Sequence, residues 1–193
     1  MSKIQYTLSL CFFILSTANA DFIVKSMSEL KNEKFIRQKY EESCGTSSLA
    51  NLLNLFSFKQ YSEADILKVL QNKTSMLSFL ELKNTALKLG FESDGYELDT
   101  KEFEFLTLPV IAKIEKDPRY PHFVVVQNLQ GDFVSITDPN FGVYIATKNE
   151  FYSLWGKKKG FVLVVVPKKF TNYNLQKPFF FGSFLLDKNK RGF

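Results

Sequence analysis

The sequence predicts an α+β fold, with helices in the first half of the chain and an antiparallel sheet in the second. Apolar residues recur at helical spacing between residues 44 and 90, and β-branched runs bounded by turns follow from residue 109 onward. Chain length sets the scale. With 193 residues and 45% hydrophobic content, one sizeable core can be filled, which excludes intrinsic disorder and fibrous repeats and leaves little room for a second domain.

The elements follow in order. Leu49, Leu52, Leu53 and Phe56 fall at i, i+3, i+4 and i+7, predicting a helix over 44–57 with one buried face and its first turn at Cys44-Gly45. Ser62 and Asp65 read as a capping pair for a second helix that runs through Ile66, Leu67, Val69 and Leu70 to about Asn72. Thr74 or Ser75 opens a third, through Leu80, Leu82, Ala86 and Leu87, stopping at Gly90. Strands are expected at 109–114, 122–126, 133–137 and 161–166. Gln130-Gly131-Asp132 sits between two of them like a hairpin turn, and Asp138-Pro139-Asn140-Phe141-Gly142 has turn chemistry. A short helix from about Lys148 to Trp155 precedes the last strand, with Phe151 and Trp155 as its core contacts.

The N-terminal residues 1–20 read as a secretory signal peptide: Met-Ser-Lys, an apolar run from Ile4 to Ile14, and Ala18 and Ala20 at the −3 and −1 positions of a cut after Ala20. The apolar run holds about ten residues where a spanning helix needs roughly twenty, so an uncleaved anchor is the lesser reading. The expectation is an exported protein, periplasmic or secreted. Cleavage removes Cys11 and leaves Cys44 as the one cysteine of the mature chain. In an oxidising compartment an odd cysteine is an intermolecular bridge, a buried inert thiol, or a thiol kept for its chemistry. Residues 21–34 form a lead-in, 35–167 the domain, and 168–193 a tail. Within the tail, Phe179-Phe180-Phe181-Gly182-Ser183-Phe184-Leu185-Leu186 reads as an extra strand or packing arm, or as a docking segment for a partner or a membrane surface.

Composition also excludes several functions. Lys+Arg 25 against Asp+Glu 20 gives a net +5, but the charges interleave except at Lys157-Lys158-Lys159 and in the tail, which does not describe a nucleic-acid surface. One histidine and two cysteines are too few for a zinc site of the usual His/Cys type. No glycine-rich phosphate loop is present, so neither a bound cofactor nor ATP is implied.

What remains is a set of residues suited to acyl transfer. Cys44 lies in the first turn of a helix, where free N–H groups and the helix dipole favour a thiolate. His122, the single histidine, opens a strand, and Asp138 follows sixteen residues later at the end of the next. If 122–127 and 132–137 form a hairpin, those two positions share one edge and the carboxylate can orient the imidazole. Gln38, six residues before Cys44, offers a side-chain N–H and Cys44 its backbone N–H to a developing oxyanion. Gly45 would let a substrate backbone approach closely.

The run Gln38-Lys39-Tyr40-Glu41-Glu42-Ser43-Cys44-Gly45, then Pro121-His122-Phe123, Asp138-Pro139-Asn140-Phe141-Gly142, and Glu150-Phe151 with Trp155-Gly156 resembles the C39 peptidase family over about residues 35–167. That family holds papain-like cysteine peptidases that process double-glycine leader peptides. The resemblance implies a papain-like fold, with Cys44 as nucleophile, His122 as general base and acid, Asp138 as orienter and Gln38 as oxyanion donor. It also implies a peptide or protein substrate cut after a small residue. Ser43 stands where many members have an acidic residue. The best-known members are fused to ATP-driven exporters, whereas this chain looks more like stand-alone members that accompany surface-fibre and functional-amyloid secretion, which makes it a candidate secretion-system component. The alternatives are a peptide-binding module of the same fold that does not cut, and another Cys-His-Asp acyl transfer such as transglutamination.

Overall fold

Helix α1, Cys44–Asn54, is the centre of the helical half, and all eleven of its residues are buried. The predicted stripe of leucines accounts for one side of it. The other side is polar, and most of its side chains are satisfied by the backbone of a neighbouring segment, as burial of polar groups requires. Ser48 Oγ donates to Phe123 O at 2.9 Å, Asn51 bonds both the N–H and the C=O of Ile36 at 2.8 Å, and Asn54 does the same with Tyr61 at 2.7 and 2.9 Å. A helix expected to bury one face therefore buries every face.

This computed structural model describes residues 26, 29, 35–56, 59–115, 120–156 and 158–168. The predicted signal segment, nearly all of the lead-in, and the tail with its Phe179–Leu186 run lie outside them. The chain divides into two units, 1–30 and 31–193. In the first, Ser26 and Glu29 exchange side-chain to backbone hydrogen bonds.

In the second unit α1 is followed by α2, Glu63–Val69, and α3, Phe79–Lys88. Ser62 and Asp65 form the expected capping box, but α2 stops before Gln71 and Asn72, both of which have positive φ. α3 begins later than Thr74 or Ser75, because Ser78 and Glu81 supply its capping box. Gly90 ends it at φ 92°. The remaining elements are β1 Phe91–Asp99, α4 Thr100–Glu104, β2 Val110–Ile114, β3 His122–Asn128, β4 Phe133–Asp138, β5 Gly142–Thr147, α5 Lys148–Trp155 and β6 Lys159–Pro167.

The six strands form one sheet, β1-β6-β2-β3-β4-β5, antiparallel at every pairing. Helices cover both faces. Ile111, Phe123, Val125, Leu163 and Val165 pack with α1, α2 and α3, while Val110, Ala112, Val124, Val126 and Val162 pack with Phe103 of α4 and with Phe151 and Trp155 of α5. The α+β expectation holds. The second helical layer follows from α5, which was expected, and α4, which was not.

Candidate active site

The hairpin places the site. β3 and β4 pair in a register running from Val125 opposite Thr137 to Asn128 opposite Val134, so the first residue of β3 and the last of β4 share an edge. There His122 Nε2 donates to Asp138 Oδ1 at 2.8 Å, the juxtaposition the sixteen-residue spacing predicts. Asp138 is 1% exposed, and the same oxygen accepts from the N–H of Asn140 at 2.8 Å and of Phe141 at 3.4 Å, so the turn after β4 fixes the carboxylate. Its Oδ2 is buried without a hydrogen-bond partner.

Cys44 arrives from the other half of the chain. Ser48 lies one turn along α1 from Cys44, hence on the same side of the helix, and its bond to Phe123 O ties that side to the residue after His122. The thiol, 4% exposed, lies near enough to the His122 ring to raise its proton affinity. With Nε2 engaged by Asp138, Nδ1 is the nitrogen left to face it. Burial works against a charged imidazole, but Asp138, through its hydrogen bond and charge, and then the neighbouring Cys44 outweigh it and raise His122 to about 9. For Asp138, burial pushes upward, while the His122 bond and charge and the Asn140 and Phe141 amides hold the carboxyl below the usual range. From β5, Tyr144 feels the same charge: burial first and Asp138 second raise its phenol to about 12.

Two further links tie the residues before Cys44 to the Asp138 turn. Gln38 N–H donates to Pro139 O at 3.1 Å, and Arg37 Nη1 donates to Asn140 O at 2.7 Å. The Gln38 side chain is placed differently from expectation. Its Nε2 donates to Tyr40 O at 3.0 Å and Glu41 O at 2.9 Å, bracing the turn into α1, and Oε1 is the atom left unpartnered. At Gly45 a Cβ would meet Leu82 and Phe123 at 3.4 Å, close to ordinary contact, so packing alone does not demand a glycine there.

Sequence reasoning missed Glu63. It is 2% exposed, and its carboxylate accepts from Lys39 N–H at 3.2 Å, Ser43 Oγ at 2.5 Å and Ser47 Oγ at 3.1 Å, bracketing Cys44 from both sides. Its sequence signal was that of any acidic residue in a helix's first turn. Beyond the Asp138 turn an open groove of about 470 Å3 runs between β5 and α5, lined mostly by apolar side chains including Ile136, Phe141, Tyr144, Ile145 and Leu154. No group of three or more His, Cys, Asp or Glu among the described residues gathers as a metal site would, and no described helix is long and apolar enough to cross a membrane.

A thiol on a helix N-terminus beside an imidazole on a strand, which is in turn bonded to a buried carboxylate, defines a papain-like cysteine hydrolase. The family is shown by the match of residues 32–169 to the Peptidase C39 family: the chain belongs to it and is a cysteine peptidase. It is 28% identical to the probable functional amyloid protease FapD of Pseudomonas aeruginosa over 158 residues, covering 78% of this chain and 68% of that one. The peptidase domain of Streptococcus ComA, a bifunctional ABC transporter of a quorum-sensing pathway, superposes with TM-score 0.60 and 28% identity, over 69% of this chain and 97% of that domain. A double-glycine motif protease from an AMS/PCAT transporter, solved with its leader peptide, shares the fold at TM-score 0.59 and 23% identity, over 69% and 91% of the two chains.

Proposed function

We propose that this peptidase cuts a peptide or protein chain after a small-residue, double-glycine-like site, through an acyl-enzyme on Cys44. The observation that carries the assignment of roles is the single imidazole bonded to Asp138 at 2.8 Å with the buried Cys44 thiol beside it. The Cys44 thiolate attacks the scissile carbonyl carbon, and the carbonyl oxygen takes the charge, facing the backbone N–H of Cys44. That amide, the first of α1, has no intrahelical acceptor. His122, protonated in the resting pair, gives its proton to the leaving amine. It then draws a proton from water, whose oxygen attacks the acyl carbon and frees Cys44. Asp138 keeps the ring oriented and supports its charge. Gln38 serves as second oxyanion donor by releasing Tyr40 O or Glu41 O when substrate binds.

The substrate class rests on family membership and on the relatives, one a probable functional amyloid protease and one a double-glycine motif protease in complex with a leader peptide. The apolar groove beside Asp138 suits side chains of a peptide at a distance from the cut bond. The N-terminal sequence supports export to the periplasm, where a fibre-forming or secreted partner would be the substrate. A non-cutting binding module is not favoured, because Cys44, His122 and Asp138 stand together. The test is a synthetic peptide with Gly-Gly before the scissile bond, its products read by mass spectrometry. Cleavage is expected with the intact chain and is expected to fall by at least a thousandfold in Cys44→Ala and in His122→Ala; undiminished cleavage in Cys44→Ala would refute the assignment.

A further inference from the structure

Glu63 is a buried carboxylate with no cation beside it among the described residues, and the donors it accepts from there belong to the segment that delivers Cys44. Ser43 stands at the N-cap of α1, where a serine ordinarily turns its hydroxyl onto the N–H groups of its own helix. Here it makes no such cap. Its Oγ instead accepts from Tyr40 N–H at 3.2 Å and has Glu63 Oε1 at 2.5 Å and Tyr40 O at 2.9 Å as acceptors for its one proton, and its backbone, at φ −91° and ψ 19°, is not in the extended form that the capping serines of α2 and α3 adopt at ψ 164° and 162°. Lys39 N–H and Ser47 Oγ hold the two flanks to the same carboxylate. The first amides of α1 thus have no side-chain cap from Ser43.

We propose that Glu63 is a positioning residue: by drawing the Ser43 hydroxyl and the Lys39 N–H to itself, it keeps the turn before Cys44 from capping α1 and leaves the helix's first amides open to thiolate and oxyanion. The inference rests on the reading of Cys44 as nucleophile. A capped helix would sit more firmly but would offer those amides to Ser43 instead of to the reacting sulfur and oxygen. The buried carboxylate is stabilised in turn by the three groups it restrains.

The test is alkylation of Cys44 by iodoacetamide in the full chain, followed from pH 5 to 10 by mass spectrometry of the Cys44 peptide, so it needs no substrate. In the wild type, reactivity at pH 6 and its loss in His122→Ala report the activated pair, because an ordinary thiol ionises near 8.5. Glu63→Gln is expected to slow alkylation at pH 6 at least tenfold and to move the profile toward that of an ordinary thiol. Loss of a nearby negative charge alone would do the reverse and speed it. In Glu63→Gln with Ser43→Ala, the released residue has no oxygen to cap with, and at least a threefold recovery is expected. An unchanged or faster Glu63→Gln, or a slower one without recovery in the double variant, overturns the proposal. If Glu63→Gln loses its helical circular dichroism, Ser47→Ala withdraws one donor without stranding a charge, and a smaller slowing is expected there; none would overturn it. A wild type unreactive at pH 6 defeats the nucleophile reading as well, whereas a reactive wild type with an unaltered Glu63→Gln defeats only this inference.

Discussion

His122 carries two interactions on one ring, and their order can be read directly because it is the only histidine in the chain. Its raised value near 9 rests more on the hydrogen bond to Asp138 than on the neighbouring Cys44. In an NMR titration of the ring protons, Asp138→Asn is therefore expected to lower the inflection most and Cys44→Ala by a smaller step. An inflection in Asp138→Asn no lower than in the wild type would mean that the 2.8 Å contact does not govern the ring. This pair was legible in the sequence because a short hairpin converts a sixteen-residue separation into neighbourhood at one edge. Cys44 was legible because it opens an apolar helical pattern. The direction of the Gln38 amide was not, since it depends on the carbonyls of the turn between Gln38 and Cys44. Glu63 was hidden for a related reason: its donors come from residues 39, 43 and 47, and only the packing of α2 against that turn removes it from water.

At the level of elements, the join between α5 and β6 is the tightest place in the fold. A Cβ on Gly160 would stand 2.3 to 2.6 Å from the Trp155 indole, which is stacked on Phe151 with centroids 5.4 Å apart and bonded through Nε1 to Phe161 O at 3.0 Å. Gly160→Ala is expected to cost about 1–3 kcal/mol by forcing that ring aside, read as a lower urea midpoint at unchanged slope. Gly95 in β1 is the contrast, since its Cβ would meet only Val162 O at 4.0 Å. Gly95→Ala is expected to be neutral or to add about 0.4–1 kcal/mol by restricting the unfolded chain. Equal losses in the two variants would show that the Trp155 contact does not discriminate. The strands divide the same way by legibility. β2, β3 and β6 are covered by helices on both faces and so read as continuous apolar runs. β1 and β5 are the two edge strands; β1, with Glu92, Asp94, Gly95 and Glu97 facing outward, has too little apolar periodicity to be seen, and β5 looks like the continuation of a turn.

Over the whole molecule, the site is the seam where the two halves of the sequence meet: α1 brings the thiol from the helical half, and the edge of the β3–β4 hairpin brings imidazole and carboxylate from the other. Folding therefore creates the His122 environment, and the stability of the domain must depend on pH through it. The sign follows from the direction of the shift. His122 is raised from 6.5 to about 9, so the stabilisation it contributes is complete below about 6.5 and is lost as pH climbs through 9. With the ring largely buried, that contribution is on the order of 3 kcal/mol. Asp138, held low, belongs to the same hydrogen bond and sets the acid end, where stability falls as pH drops through its lowered value. Tyr144 and Tyr152, raised to about 12, titrate above this window. Urea denaturation of the wild type between pH 6 and 9.5 should show the midpoint declining as pH rises through the upper part of that range. In Asp138→Asn, where the ring loses its main support, the decline should be shallower and the curves should converge near pH 9.5. Parallel curves would mean that the imidazole gains no proton affinity on folding, and the Asp138 contact would then not stabilise a charged ring in this fold.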